Sequence, residues 1–100
     1  MIFFRLTAKA KADLINIAGY TEDKWGRQQR NIYLKQFDDM FHVLSEAPEL
    51  GTNCGFIKPG YRKFPQGSHV IFYKTGFNAK IEIVRILHKR MDVLLNLKNP

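Results

Sequence analysis

The run Ile2-Phe3-Phe4-Arg5-Leu6 is short, aromatic and β-prone, and it stops at Thr7, a residue suited to cap a helix N-terminus. This predicts a first strand. From Ala8 the period changes: Leu14, Ile17, Ala18 and Thr21 recur at three and four positions, with Lys9, Lys11, Asp13, Asn16 and Asp23 mostly elsewhere around the helix. The amphipathic helix ends near Trp25-Gly26. After that glycine, Tyr33, Phe37, Met40, Phe41 and Leu44 form a second stripe, closed by Pro48, so a second helix is expected from about Arg27 to Ala47. With only one or two residues between them, the helices must fold back on each other or meet at a sharp corner.

Residues 48 to 60 carry three glycines and two prolines and read as a surface loop. Tyr61-Arg62-Lys63-Phe64 is then a short strand, turned by Pro65-Gln66-Gly67. Ser68 to Lys74 follows as a nearly continuous apolar run suited to a central strand. After a turn at Gly76 to Ala79, residues 80 to 87 form the last strand. Strict alternation there puts Ile81, Ile83 and Leu87 on one face with Arg85, and Glu82 with Val84 and Ile86. An arginine on an apolar face needs a partner. Either an acid or loop carbonyl of the fold supplies it, or an anionic group outside does. The tail Met91 to Leu97 is either a helical turn or a segment ordered against a partner. The element order β-α-α-β-β-β predicts a two-layer α+β fold, with a helical hairpin on one face of a mostly antiparallel sheet.

A chain of 100 residues is enough for one domain and too short for two hydrophobic cores, so a single domain over 1–100 is expected. Large cofactor domains are excluded. The formal charge is +7, and its distribution is uneven. Residues 1 to 50 balance seven basic against seven acidic side chains, whereas residues 51 to 100 hold nine basic and two acidic. Such asymmetry predicts an electropositive face attractive to nucleic acid, ribosome or an acidic protein; solubility alone is the plainer account. Cys54 is the only cysteine, so no internal disulfide forms and a reducing compartment is the simplest home. No stretch approaches the roughly 18 apolar residues of a membrane span, and no leader pattern opens the chain, so a soluble cytoplasmic protein is expected.

The residues offer little to a catalytic reading. The glycines match no nucleotide fingerprint, and there is no Ser/His/Asp order with an elbow motif. His42, His69 and His88 lack the Cys or carboxylate company of a metal site, so no metal and no cofactor are expected. His42 reads as solvent-facing or structural, His69 as a hydrogen-bonding strand residue, and His88 is open.

Four stretches carry a resemblance over nearly the whole chain. They are Ala10-x-x-Asp13-Leu14-x-x-Ile17-x-x-Tyr20-Thr21, then Trp25-Gly26-x-x-Gln29, then Gly60-Tyr61-Arg62-Lys63-Phe64-x-x-Gly67-Ser68-His69-x-Ile71-Phe72-Tyr73, and Ile83-x-Arg85-Ile86-Leu87-His88-x-x-Met91-Asp92. Together these resemble the ParE toxins of type II toxin-antitoxin systems, within the RelE/ParE superfamily. The resemblance implies the RelE/ParE-like fold and a bacterial cytoplasmic toxin that poisons DNA gyrase and is neutralised by a ParD-like antitoxin. It implies binding and no active site. DNA is expected to be met only indirectly, through the gyrase complex and the antitoxin-operator complex, and no membrane is involved. On that footing Tyr61, Arg62, Arg85, His88 and Arg90, at strand ends in the basic half, are expected to face gyrase or its DNA. Tyr61 and Arg85 are equally explained as completing the fold. Tyr20, Trp25, Leu94, Leu95 and Leu97 are expected apolar anchors for the antitoxin, although Trp25 at the helix corner also suits a core plug.

The superfamily also holds ribosome-dependent mRNA endonucleases. RNA cleavage needs a base, an acid and cations on the phosphate, for which Arg62, Arg85, His88, Lys58 and Lys63 are the available groups. Against it, residues 88 to 100 contain no Tyr, and the loop before Tyr61 has only Lys58. A family member that acts only as co-repressor with its antitoxin is the remaining alternative.

Overall fold

Strand β1 (Ile2–Leu6) runs into helix α1 (Ala8–Trp25) through Thr7, whose extended backbone and hydroxyl end the strand and start the helix. The hydroxyl accepts from Ala10 N–H at 3.0 Å and donates to Val84 C=O at 2.8 Å, so one side chain caps α1 and ties it to the sheet. The computed structural model describes residues 2–91 and 93–98. Helix α2 (Arg27–Glu46) begins after one residue, Gly26, whose φ of 92° serves as C-cap of α1 and N-cap of α2. An Arg30–Glu22 ion pair spans the corner. The predicted antiparallel hairpin is therefore observed.

Beyond a 3-10 turn at Pro48–Leu50 come β2 (Thr52–Asn53), β3 (Arg62–Gln66), β4 (His69–Thr75) and β5 (Ala79–His88), and a short helix α3 spans Val93–Lys98. The sheet order is β1-β5-β4-β3-β2, antiparallel except for the parallel pair β1/β5. Residues 48 to 60, expected to be loop throughout, thus contribute a two-residue edge strand. The β3–β4 connection is tighter than expected, because Gln66 pairs with His69 and only Gly67-Ser68 turns the chain. Gly67 has φ 59°, as a two-residue hairpin turn requires.

Alternation along β5 does not hold to its end. Phe72 pairs with Arg85 but Tyr73 pairs with Ile83, so a bulge at Val84 inserts one extra residue. Ile86 consequently joins Ile81 and Ile83 beneath the helices, while Val84 and Leu87 pack on the far face. The expected grouping of Leu87 with Ile81, and of Ile86 with Val84, is corrected by this one residue.

The main core lies between hairpin and sheet, with Ile17, Phe37, Phe41 and Leu44 against Ile71, Tyr73, Ile81, Ile83 and Ile86. On the opposite face a smaller cluster joins Cys54, Tyr61, Phe72, Val84 and Leu87 to Leu97 of α3. β1 covers the β5 edge only as far as Ile83. Past that point Asp13 of α1 accepts the Ile86 N–H at 2.9 Å, so a helical side chain continues the edge pairing.

Candidate functional site

The Gly26 corner overhangs the β3–β4 turn and the end of β5, and a groove of about 820 Å³ opens between them. Its helical wall is Asn16, Ile17, Tyr20, Thr21, Trp25, Gln29 and Tyr33; its sheet wall is Gly67, Ser68, His69, His88 and Met91. Trp25 is 70% and Tyr20 63% exposed. The core-plug reading of Trp25 is excluded, because the helix corner turns its ring outward. None of the lining residues is a carboxylate.

The floor is ordered by the Tyr33 hydroxyl. It lies 3.0 Å from Gln66 C=O, 3.2 Å from Ser68 N and 2.7 Å from His69 Nδ1. One arrangement satisfies all three: the hydroxyl donates to Gln66 and accepts from Ser68 N–H and from a protonated His69 Nδ1. The neutral His69 ring then carries its lone pair on Nε2. Burial, and secondly the neighbouring His88 ring at 5.4 Å, push the His69 pKa down. Burial raises that of Tyr33. His88 Nδ1 accepts from Arg90 N–H at 3.1 Å, which fixes the exposed turn at the groove rim.

The expected site residues divide. Tyr20, Trp25 and His88 come together in the groove, with Arg90 two residues beyond His88 at its rim. Tyr61 and Arg62 do not join them. Arg62 pairs with Tyr73, four residues along β4 from the His69 that pairs with His88, a separation of roughly 13 Å at about 3.3 Å per residue. Tyr61 is buried in the far-face cluster, and the Arg62 guanidinium donates to Gly51 C=O at 2.7 Å. Arg85 is held by Asp13 and donates to Asn96 C=O at 3.2 Å, which answers its need for a partner from within the fold. Leu97 is buried at 1% exposure in this chain's own core, so it is no free anchor. Leu94 and Leu95 fall within the α3 range; their side chains lie outside the described residues, as does Asp92.

Residue-by-residue reading missed Tyr33, Ser68, Gln29 and Met91 as groove residues. Tyr33 was hidden because it also sits on the apolar stripe of α2, against Phe37. Gln29, Ser68 and Met91 stand inside the stretches that carried the family resemblance, which was the available signal.

Chemically the groove offers exposed aromatic rings and hydrogen-bonding groups and no acids. The cations a phosphoryl-transfer site would need, Arg62 and Arg85, are committed to structural bonds away from His88. Among the described residues no group of three or more His, Cys, Asp or Glu can hold a metal ion, and no helix is long and apolar enough to cross a membrane.

Residues 4–93 match the family model for the ParE toxin of type II toxin-antitoxin system, parDE. The chain is 39% identical over 94 residues to Toxin ParE1 of Mycobacterium tuberculosis, covering 94% of this chain and 96% of that protein. It is 36% identical to Toxin ParE1 of Caulobacter vibrioides over the same shares of both chains. A solved chain from a chromosomal ParDE TA system of P. aeruginosa superposes with a TM-score of 0.73 over 88% of this chain and 96% of that one; at 20% identity this likeness speaks to the fold. The match across the four stretches and the β-α-α-β-β-β-β frame that holds them agree, and this chain belongs to the ParE toxin family of type II toxin-antitoxin systems.

Proposed function

We propose that this protein is the toxin of a bacterial cytoplasmic toxin-antitoxin pair, that it poisons DNA gyrase by binding, and that a ParD-like antitoxin neutralises it by occupying the groove. The observation that carries the reading is the exposed Trp25–Tyr20 groove on a ParE-family chain. An acidic, amphipathic antitoxin segment, disordered when free, gains apolar burial on Tyr20 and Trp25 and charge complementarity from a groove that has no carboxylate and a chain of net charge +7. His88 and Arg90 stand at the same rim and are retained as gyrase contacts. A bound antitoxin then covers them, so neutralisation is occlusion.

Poisoning by binding requires that the toxin prefer the stage of the gyrase cycle in which DNA is cut and covalently held, and so raise that population. No active site is needed. The dispersal of Arg62 and Arg85 into structural bonds supports this over RNA cleavage.

The test is supercoiling of relaxed plasmid by gyrase and ATP in the presence of the purified protein, scored together with protease-released linear DNA. Loss of supercoiling with linear DNA, both reversed by antitoxin, is the expected result. Unchanged supercoiling by folded protein refutes the reading, and cleavage of ribosome-bound mRNA would replace it.

A further inference from the structure

The end of the sheet opposite the groove carries a second exposed surface. Phe77, in the β4–β5 turn, is 93% exposed, and Phe56, in the loop between β2 and β3, is 81% exposed. They are the most exposed of the large apolar side chains among the described residues. Register brings their loops to one end. Arg62 lies opposite Tyr73, and the bond from Cys54 N–H to Tyr61 C=O extends the β2/β3 pair one step further, so the loop at 55–60 is level with the turn at 76–78. In the order β5-β4-β3-β2 the two tips are two strand spacings apart, about 10 Å.

Lysines surround both tips. Lys58 follows Phe56 in its loop, Lys63 is exposed on β3, and Lys74 and Lys80 flank the Phe77 turn. Lys74 meets Glu82 in a long pair at 3.8 Å, and Lys80 meets Glu46 at 3.7 Å while its ammonium lies 4.9 Å from the Phe3 ring centroid; both lysines are more than a third exposed. Solvent-screened pairs of this kind exchange readily for a phosphate.

Projecting phenyl rings among lysines fit a ligand that offers phosphates and a bare aromatic face together. Intact duplex DNA supplies the phosphates but keeps its base faces stacked. At a nick or strand break a base-pair face is open to an apolar wedge. We propose that the Phe56–Phe77 end of this protein binds DNA at a strand interruption, the rings against the exposed base pair and the four lysines on flanking phosphates. The proposal deepens the gyrase-poisoning reading, since a cleaved gyrase complex is where such DNA occurs: the groove end then meets the enzyme and the phenylalanine end its broken DNA.

The test needs no gyrase. Wild-type protein is titrated into short labelled duplexes, one intact and one with a central nick, over a range of salt. The nicked duplex is expected to bind about tenfold tighter, with a slope of log affinity against log salt near −3.6, four phosphates at about −0.9 each. Phe56→Ala with Phe77→Ala abolishes the preference for the nick, Phe77→Tyr keeps it, and Lys63→Ala makes the slope shallower by about 0.9. Circular dichroism melts establish that the variants, altered at exposed positions, stay folded. Equal binding of nicked and intact DNA by the wild type overturns the proposal, as does a double variant that keeps the preference. Loss of gyrase poisoning in the double variant with nick binding unchanged also overturns it and assigns this end to a protein contact. A wild-type protein that prefers nicks yet leaves gyrase untouched sustains the proposal and refutes the gyrase reading.

Discussion

Arg85 and Asp13 meet in a two-point ion pair, Nε to Oδ2 at 2.9 Å and Nη2 to Oδ1 at 3.0 Å, which fastens the bulged end of β5 to α1. The same Oδ2 accepts the Ile86 N–H. The pair is mostly buried, at 15% and 12% side-chain exposure, and it raises the Arg85 pKa, so the guanidinium stays charged throughout. Asp13→Ala strands that charge and leaves a strand N–H without its acceptor. A loss of about 3 kcal/mol is expected, or a fall in Tm of roughly 12 to 24 °C for a domain of this size. Asp13→Asn keeps an acceptor for Ile86 and costs less. Thermal melts of the two variants check both the size and the order; a loss below about 1 kcal/mol for Asp13→Ala contradicts the account.

That pair also shows what the sequence could and could not convey. The residues of the pair, Asp13 and Arg85, are each recognisable as a polar side chain on an apolar element, but nothing in a period-two reading of β5 announces the bulge at Val84. One inserted residue moved Ile86 to the helical face and set Arg85 opposite Phe72 of the far-face cluster, from where its guanidinium reaches both Asp13 of α1 and Asn96 of α3. The hairpin was legible because its signals are local: the Thr7 cap, two stripes of period 3.6 and a single glycine between them. The groove was half legible. Tyr20 and Trp25 stood out in the sequence and do line the groove, whereas Tyr33 depends on the tertiary approach of α2 to the Gly67 turn, and Leu97 on where a six-residue helix folds back.

Tyr33 and Gly67 depend on each other. A Cβ on Gly67 would stand 2.6 Å from the Tyr33 hydroxyl oxygen, and the glycine φ of 59° disfavours any side chain there. Gly67→Ala is expected to cost about 1 to 3 kcal/mol through both effects. Tyr33→Phe removes one hydroxyl that serves three partners and is expected to cost about 1 to 2 kcal/mol. Urea unfolding of each variant measures this. Unchanged midpoints would show that the hydroxyl does not organise the groove floor.

His69 gives the fold a pH dependence with a definite sign. Its folded-state pKa lies below the ordinary value near 6.5, chiefly because burial disfavours the charged ring and secondly because of His88. The unfolded chain therefore binds the proton more readily. The stabilisation from neutral His69 is complete above about pH 6.5 and is lost as pH falls through the lower, folded value. Between pH 7 and 5 the wild type should lose stability faster than His69→Gln, by at most about 1.4 kcal/mol per pH unit. Parallel Tm profiles for the two proteins decide it, and superimposable profiles would remove His69 as the titrating group.

Trp25 separates folding from docking most cleanly, because its ring contributes so little to the first. At 70% exposure its replacement by alanine is expected to change stability by no more than about 0.5 kcal/mol. If the groove receives the antitoxin, the same ring is a large aromatic anchor at the centre of an interface, where truncation typically costs at least 2 kcal/mol, about a thirtyfold loss of affinity. Lys24, whose ammonium lies 5.9 Å over the Tyr20 ring, keeps the neighbouring anchor in place in the variant. Isothermal titration with the cognate antitoxin measures the affinity and a thermal melt the stability. Weakened binding at unchanged Tm fits a docking groove; unchanged binding at unchanged Tm means the antitoxin takes another surface, and lowered Tm means that Trp25 supports the helix corner after all.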